Sequence, residues 1–168
     1  MSWTDIVNKG SSTWWIVQNN QPAGSGSFAN AVPDVDDWNT LSDGRQTGYG
    51  FPLKRTVKPL PGLFDIELPV IDIEYTLRWE YGNQYRKQGM FLRTIWTDVT
   101  KCNVLDGFDV SISFACSDPW NDNPSGNPPW PAAMINIDLT AHITTPKWQK
   151  TLDKGKYYLQ YNGNLVMR

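Results

Sequence analysis

Ile71-Asp72-Ile73-Glu74-Tyr75-Thr76-Leu77-Arg78-Trp79-Glu80-Tyr81 holds a period of two over its whole length. Odd positions are apolar or aromatic and even positions are polar or charged. Successive side chains of a strand point to opposite faces, so this is a β-strand with one buried and one solvated side.

Working outward, Asp65 and Glu67 alternate with Ile66 and Leu68 in the opposite phase, and Pro69 stands at the change. A proline at a phase change predicts an edge position or a bulge. Gly82-Asn83 predicts a turn, and Met90 to Val99 is β-rich without clean alternation. Asp106-Gly107 predicts a hairpin leading into Phe108, Val110, Ile112, Phe114 and Cys116 on one face. The clearest later strand sets Ile135, Ile137, Leu139, Ala141 and Ile143 against Asn136, Asp138, Thr140, His142 and Thr144. Lys156 to Tyr161 before Asn162-Gly163 reads as a further strand and turn. No segment sustains a 3.6 period for the length of an ordinary helix. The fold expected is all-β: a single-domain antiparallel β-sandwich, or flattened barrel, with long Pro/Gly/Trp-rich loops. Residues 1–50 are expected to be an irregular part packed on that domain. Within them Trp14-Trp15-Ile16-Val17 suits a buried strand, Asn19 to Ser27 a loop, and Asp34 through Gly50 further loop.

The chain has 168 residues, enough for one domain with its own core. With 15 Lys+Arg against 17 Asp+Glu, it lacks the electrostatic footprint of a nucleic-acid binder. Nine Trp, seven Tyr and six Phe accompany a charged share of only 19%. One His excludes a multi-His metal site. No apolar run is long enough for a membrane-spanning helix, and the N-terminus lacks a signal-peptide pattern. CxxC, Walker, GxGxxG, HExxH and GxSxG motifs are absent.

Cys102 and Cys116 allow at most one internal disulfide. A hairpin with an even loop at Asp106-Gly107 puts them on opposite faces, beyond bridging distance, whereas an odd loop or a bulge reverses this. The expectation is a buried free thiol at Cys116.

The most distinctive stretch runs from Ser117 to Pro131, where Trp120 and Trp130 sit between prolines in a polar loop. Proline lowers the entropy cost of presenting a ring to a partner. An indole stacks on a sugar face or sits at a bilayer interface, and it also caps the end of a sandwich. Asp118, Asn121, Asp122 and Asn123 add oxygen donors beside those rings, and Asp34, Asp36 and Asp37 form a second acidic run. No cofactor or metal is expected: calcium takes such oxygen donors, but neither run fits an EF-hand loop and Asx residues serve turns for their own reasons. Asp72 and Glu74, on one strand face about 7 Å apart, have the separation of glycosidase carboxylates and equally that of an ordinary solvated face. His142, with Ser111 and Ser113, lacks any nucleophile motif. Ile135, Ile137, Leu139 and Ile143 lie on the one strand sparse enough in charge to suit membrane insertion, and they also suit a core strand.

This profile resembles the secreted cytolysins and lectins built on sandwich folds, a likeness of class that rests on no motif. It implies a non-enzymatic toxin-type protein that is released from its producing cell. Such a protein acts at a target cell surface, binding membrane through Trp120, Trp130 and their neighbours, and oligomerises to form a pore. The alternative is a lectin-like carbohydrate-binding module. Glycoside hydrolysis by Asp72 and Glu74, and a structural subunit of an assembly, stand behind these. The partners expected are a lipid membrane, a cell-surface glycan or copies of the chain itself, and not nucleic acid.

Overall fold

The computed structural model describes residues 2–23, 28–57, 68–123, 130–145 and 149–168, which form two antiparallel sheets packed against each other. One sheet runs β1 (Ile6–Val7), β4 (Ala29–Pro33), β8 (Gln88–Val104), β6 (Leu68–Tyr81), β5 (Arg45–Val57), with β7 (Asn83–Tyr85) also on β8. The other runs β13 (Leu165–Met167), β12 (Gln149–Gln160), β11 (Ala133–Thr144), β9 (Asp109–Cys116), β2 (Thr13–Gln18), β3 (Gln21–Pro22). In that sheet β10 (Trp120–Asn121) pairs β11 beyond the end of β9. The architecture is the all-β sandwich that the alternation predicts.

The apolar sets meet between the sheets. Ile71, Ile73, Tyr75, Leu77 and Trp79 of β6 face inward, as do Val110, Ile112 and Phe114 of β9 and Ile135, Ile137, Leu139, Ala141 and Ile143 of β11. Phe51 and Tyr75 from one sheet join Trp14, Phe114 and Tyr157 from the other in an aromatic cluster at the centre.

Bulges explain the breaks in pattern. Arg55 pairs Ile71 and Thr56 pairs Pro69, so Val70 is an extra residue beside the proline that marks the phase change. The alternation expected at Asp65, Ile66 and Glu67 lies outside the described residues. Lys101 pairs Glu74 and Val99 pairs Tyr75, so Thr100 is extra on β8 and no single phase runs through that strand.

Three expectations change. Residues 1–50 are not an irregular appendage: β2 joins one sheet, β1, β4 and the start of β5 join the other, and β4 is wholly buried. β1 and β4 are too short for alternation to register, and β5 begins only at Arg45, so most of it lies beyond this part of the chain. Gly82-Asn83 is only a kink between β6 and β7, and the chain reverses at Arg86-Lys87, both with left-handed φ (49° and 63°). Asp106-Gly107 closes no hairpin. It forms the corner where the chain passes from β8 in one sheet to β9 in the other.

Both cysteines are free thiols. The reason is not opposite faces of a hairpin. Each packs against the core from a different strand, the Cys102 thiol donating to the Asn20 carbonyl (3.4 Å) and that of Cys116 to the Ser11 carbonyl (3.6 Å). Those carbonyls flank β2, so the sulfurs lie far beyond bridging distance. Burial, followed by the Asp118 charge, pushes the Cys116 thiol up to about 11, and burial also raises Cys102. Since the thiolate is the nucleophile, labelling of Cys116 by a thiol reagent is expected to keep rising well above the pH, roughly 8.5, where an ordinary cysteine is half ionised. A rate profile centred on that ordinary value would overturn the assignment.

Candidate functional site

One end of the sandwich is stitched shut by backbone bonds between the sheets. The Met90 amide donates to the Pro131 carbonyl (2.8 Å), Met90 bridges Ala132, and the Gly82 amide donates to the Tyr161 carbonyl (3.0 Å). Gly89 makes the Met90 contact feasible: its φ is +75°, and a Cβ there would sit 2.6 Å from the Phe91 ring.

A groove of about 390 Å³ lies on this seam, walled by Met90, Asp122, Asn123, Trp130, Pro131 and Tyr161 over the backbone of Gly89 and Ala132. Its acidic wall is locally braced. The Asn121 Oδ1 accepts from the amides of Asn123 (2.9 Å) and Ala132 (3.0 Å), and Asn123 Nδ2 donates to the Trp130 carbonyl (3.0 Å). The Asp122 amide donates to the Ala132 carbonyl (2.8 Å). Three of these four bonds join the two flanks of the Trp loop, so the groove is built before any ligand arrives. Trp130 and Met90, each about 40% exposed, present apolar surface beside the Asp122 carboxylate.

The structure divides the residues singled out in the sequence. Trp130, Asp122 and Asn123 line the groove, and Asn121 pins it. Trp120 stands directly across from Met134, on the outer face of the second sheet, and does not line the groove. Asp118 is exposed beside Cys116. The prolines at 124, 128 and 129 lie outside the described residues. Met90 and Tyr161 were missed because only the fold brings them to the loop, and no local pattern marks them.

Ile135, Ile137, Leu139 and Ile143 are in β11, which is paired to β12 on one side and, from Ile137 onward, to β9 on the other. All four are essentially inaccessible. Asp72 is paired to Lys101 (2.5 Å) and Glu74 to Lys54 (3.4 Å) on the outer face of the first sheet. His142 Nδ1 shares a hydrogen bond with the Thr151 hydroxyl (2.8 Å) on the outer face of the second, and Ser111 is the cross-strand neighbour of His142. Asp34 is paired to Lys9 (2.9 Å), and that hydrogen bond holds its carboxyl below the usual range. Asp36 and Asp37 are exposed. Among the described residues no group of three or more His, Cys, Asp or Glu is placed to hold a metal ion.

No family model, curated protein or solved structure matches the chain.

Proposed function

We propose that this chain is a non-enzymatic cell-surface recognition protein whose braced groove takes a carbohydrate. The observation that carries the reading is the combination of Trp130, Tyr161 and Met90 with Asp122 and Asn123 on a seam closed by backbone bonds. Binding sites for small polar ligands pair apolar walls with a few converging polar groups. A rigid site loses less entropy on binding. A carboxylate in a concave groove favours sugar hydroxyls over acyl chains, because a charge is costly in an apolar layer.

The test is a glycan array followed by titration of the best-bound sugar. Trp130→Ala and Asp122→Ala are each expected to weaken binding at least tenfold with unchanged Tm, while Trp120→Ala leaves it intact. Absence of any glycan binding, or equal loss in Trp120→Ala alone, would count against the groove.

A second reading is toxin-type docking on a lipid surface, followed by oligomerisation. It is favoured by the exposure of Met90, Trp120 and Trp130, and interfacial tryptophans suit such docking. It must work without releasing β11, whose removal would dissolve the core. Binding of glycan-free vesicles containing sterol and sphingolipid would put this reading first.

A further inference from the structure

At the opposite end of the sandwich, where β5 and β11 finish and β6 and β12 begin, the inner faces carry two residues that break the apolar rule. Arg55 pairs Ile71, and Lys150 pairs Ile143. Cross-strand partners share a face, so both cations stand on the inward side, one from each sheet. Between them lies a cavity of about 360 Å³, with Val70, Ile71, Ile143 and Phe108 as its apolar walls and Arg55, Thr56 and Lys150 lining it as well. Among the described residues neither cation enters an ion pair, and the contact seen for Arg55 is Nη1 donating to the Lys54 carbonyl. In contrast, Lys54 and Lys101, which point outward on the same sheet, are each matched to a carboxylate.

We infer that this cavity binds a single-chain anionic amphiphile of the fatty-acid type, its acyl chain between the sheets and its carboxylate between Arg55 and Lys150. The volume falls in the lower part of the range of small-molecule sites, roughly 300–1,000 Å³. The paired cations fix both the sign of the head group and the orientation of the chain. Arginine also offers a planar fork that matches a carboxylate in two parallel hydrogen bonds.

The site is independent of the groove at the other end and is tested separately. The whole protein is titrated by calorimetry with dodecanoate held below its micellar concentration, and in parallel with dodecyltrimethylammonium. Saturable one-to-one binding of dodecanoate is expected, at least tenfold tighter than binding of the cation and weaker at high salt. The double variant Arg55→Gln/Lys150→Gln is expected to lose at least tenfold in affinity at unchanged Tm, with glycan binding unaffected. Three results would each overturn the inference: equal affinity for both head groups, unchanged affinity in the double variant, or binding only to anionic vesicles and not to monomeric dodecanoate.

Discussion

Phe114→Ala is expected to cost about 3–5 kcal/mol and to lower the Tm by on the order of 10 °C. Phe114 is fully buried on β9 and touches rings from both sheets: Trp14 at 5.5 Å, Phe51 at 6.1 Å and Tyr75 at 6.4 Å between centroids. Truncation removes a large apolar surface from its buried site. It also leaves a void walled by rigid rings on separate strands, which collapse poorly into it. Tyr75→Phe is the counterpart with the opposite sign. The Tyr75 hydroxyl is buried with no partner among the described residues, and burial holds its ionisation well above the usual tyrosine range. Removing an unsatisfied buried donor is expected to be neutral or to stabilise by about 1 kcal/mol. Urea unfolding at constant m-value checks both. A marked loss in Tyr75→Phe would show that the hydroxyl has a partner after all, and a loss near 1 kcal/mol in Phe114→Ala would show that the cluster repacks.

What was legible in the sequence follows from which forces are local. Ile71 to Tyr81 and Ile135 to Ile143 declare themselves because a long strand with one buried face must alternate. Five-residue β4 and two-residue β1 are too short to show a period, and β4 is buried on every residue. Arg86-Lys87 turns the chain in left-handed conformations usually given to Asn-Gly, with the Arg86 guanidinium 5.1 Å from the Tyr85 ring centroid. No composition rule flags such a turn. Asp106-Gly107 does turn the chain, but pairing is decided by which sheet the next strand joins, and that is a tertiary choice. For the groove, the Trp130 loop was visible as a proline-locked ring in a polar stretch. Its opposite wall, Met90 and Tyr161, is supplied by β8 and the β12 turn, so no window of sequence contains the site.

Glu80→Ala is expected to destabilise the fold substantially, although the even positions of β6 point away from the core. The residue is nearly inaccessible, and the segment from Leu41 to Gly44 continues the β5 edge alongside β7 through the Ser42–Gln84 bridge, with Gly44 against the Glu80 carboxylate. Glu80 accepts from Asn83 Nδ2 at Oε1 (2.6 Å) and from Arg93 Nη2 at Oε2 (3.0 Å). Asn83 Oδ1 accepts from the Arg93 amide (3.3 Å), and Arg93 Nη1 reaches the Leu41 carbonyl (3.4 Å). A Cβ at position 44 would lie 2.1 Å from Glu80 Oε1 and 2.3 Å from Asn83 Nδ2, so any larger residue there must displace both side chains. Removing one member of a buried ion pair strands the other and typically costs ~3–5 kcal/mol. The expected loss lies near the lower end, because the Arg93 side chain remains 35% exposed and water screens part of its charge. Glu80→Gln keeps an acceptor for Asn83 and is expected to lose less than the alanine variant. Gly44→Ala is expected to act on the same contacts from the other side. Through Arg93 and the Leu41 carbonyl the network also ties down the segment that leads into β5, so Glu80→Ala should expose residues 41–44 to limited proteolysis before the strands are cut. An unchanged unfolding midpoint with unchanged proteolysis would mean that the pair contributes nothing net and that hydrophobic burial alone holds the segment in place.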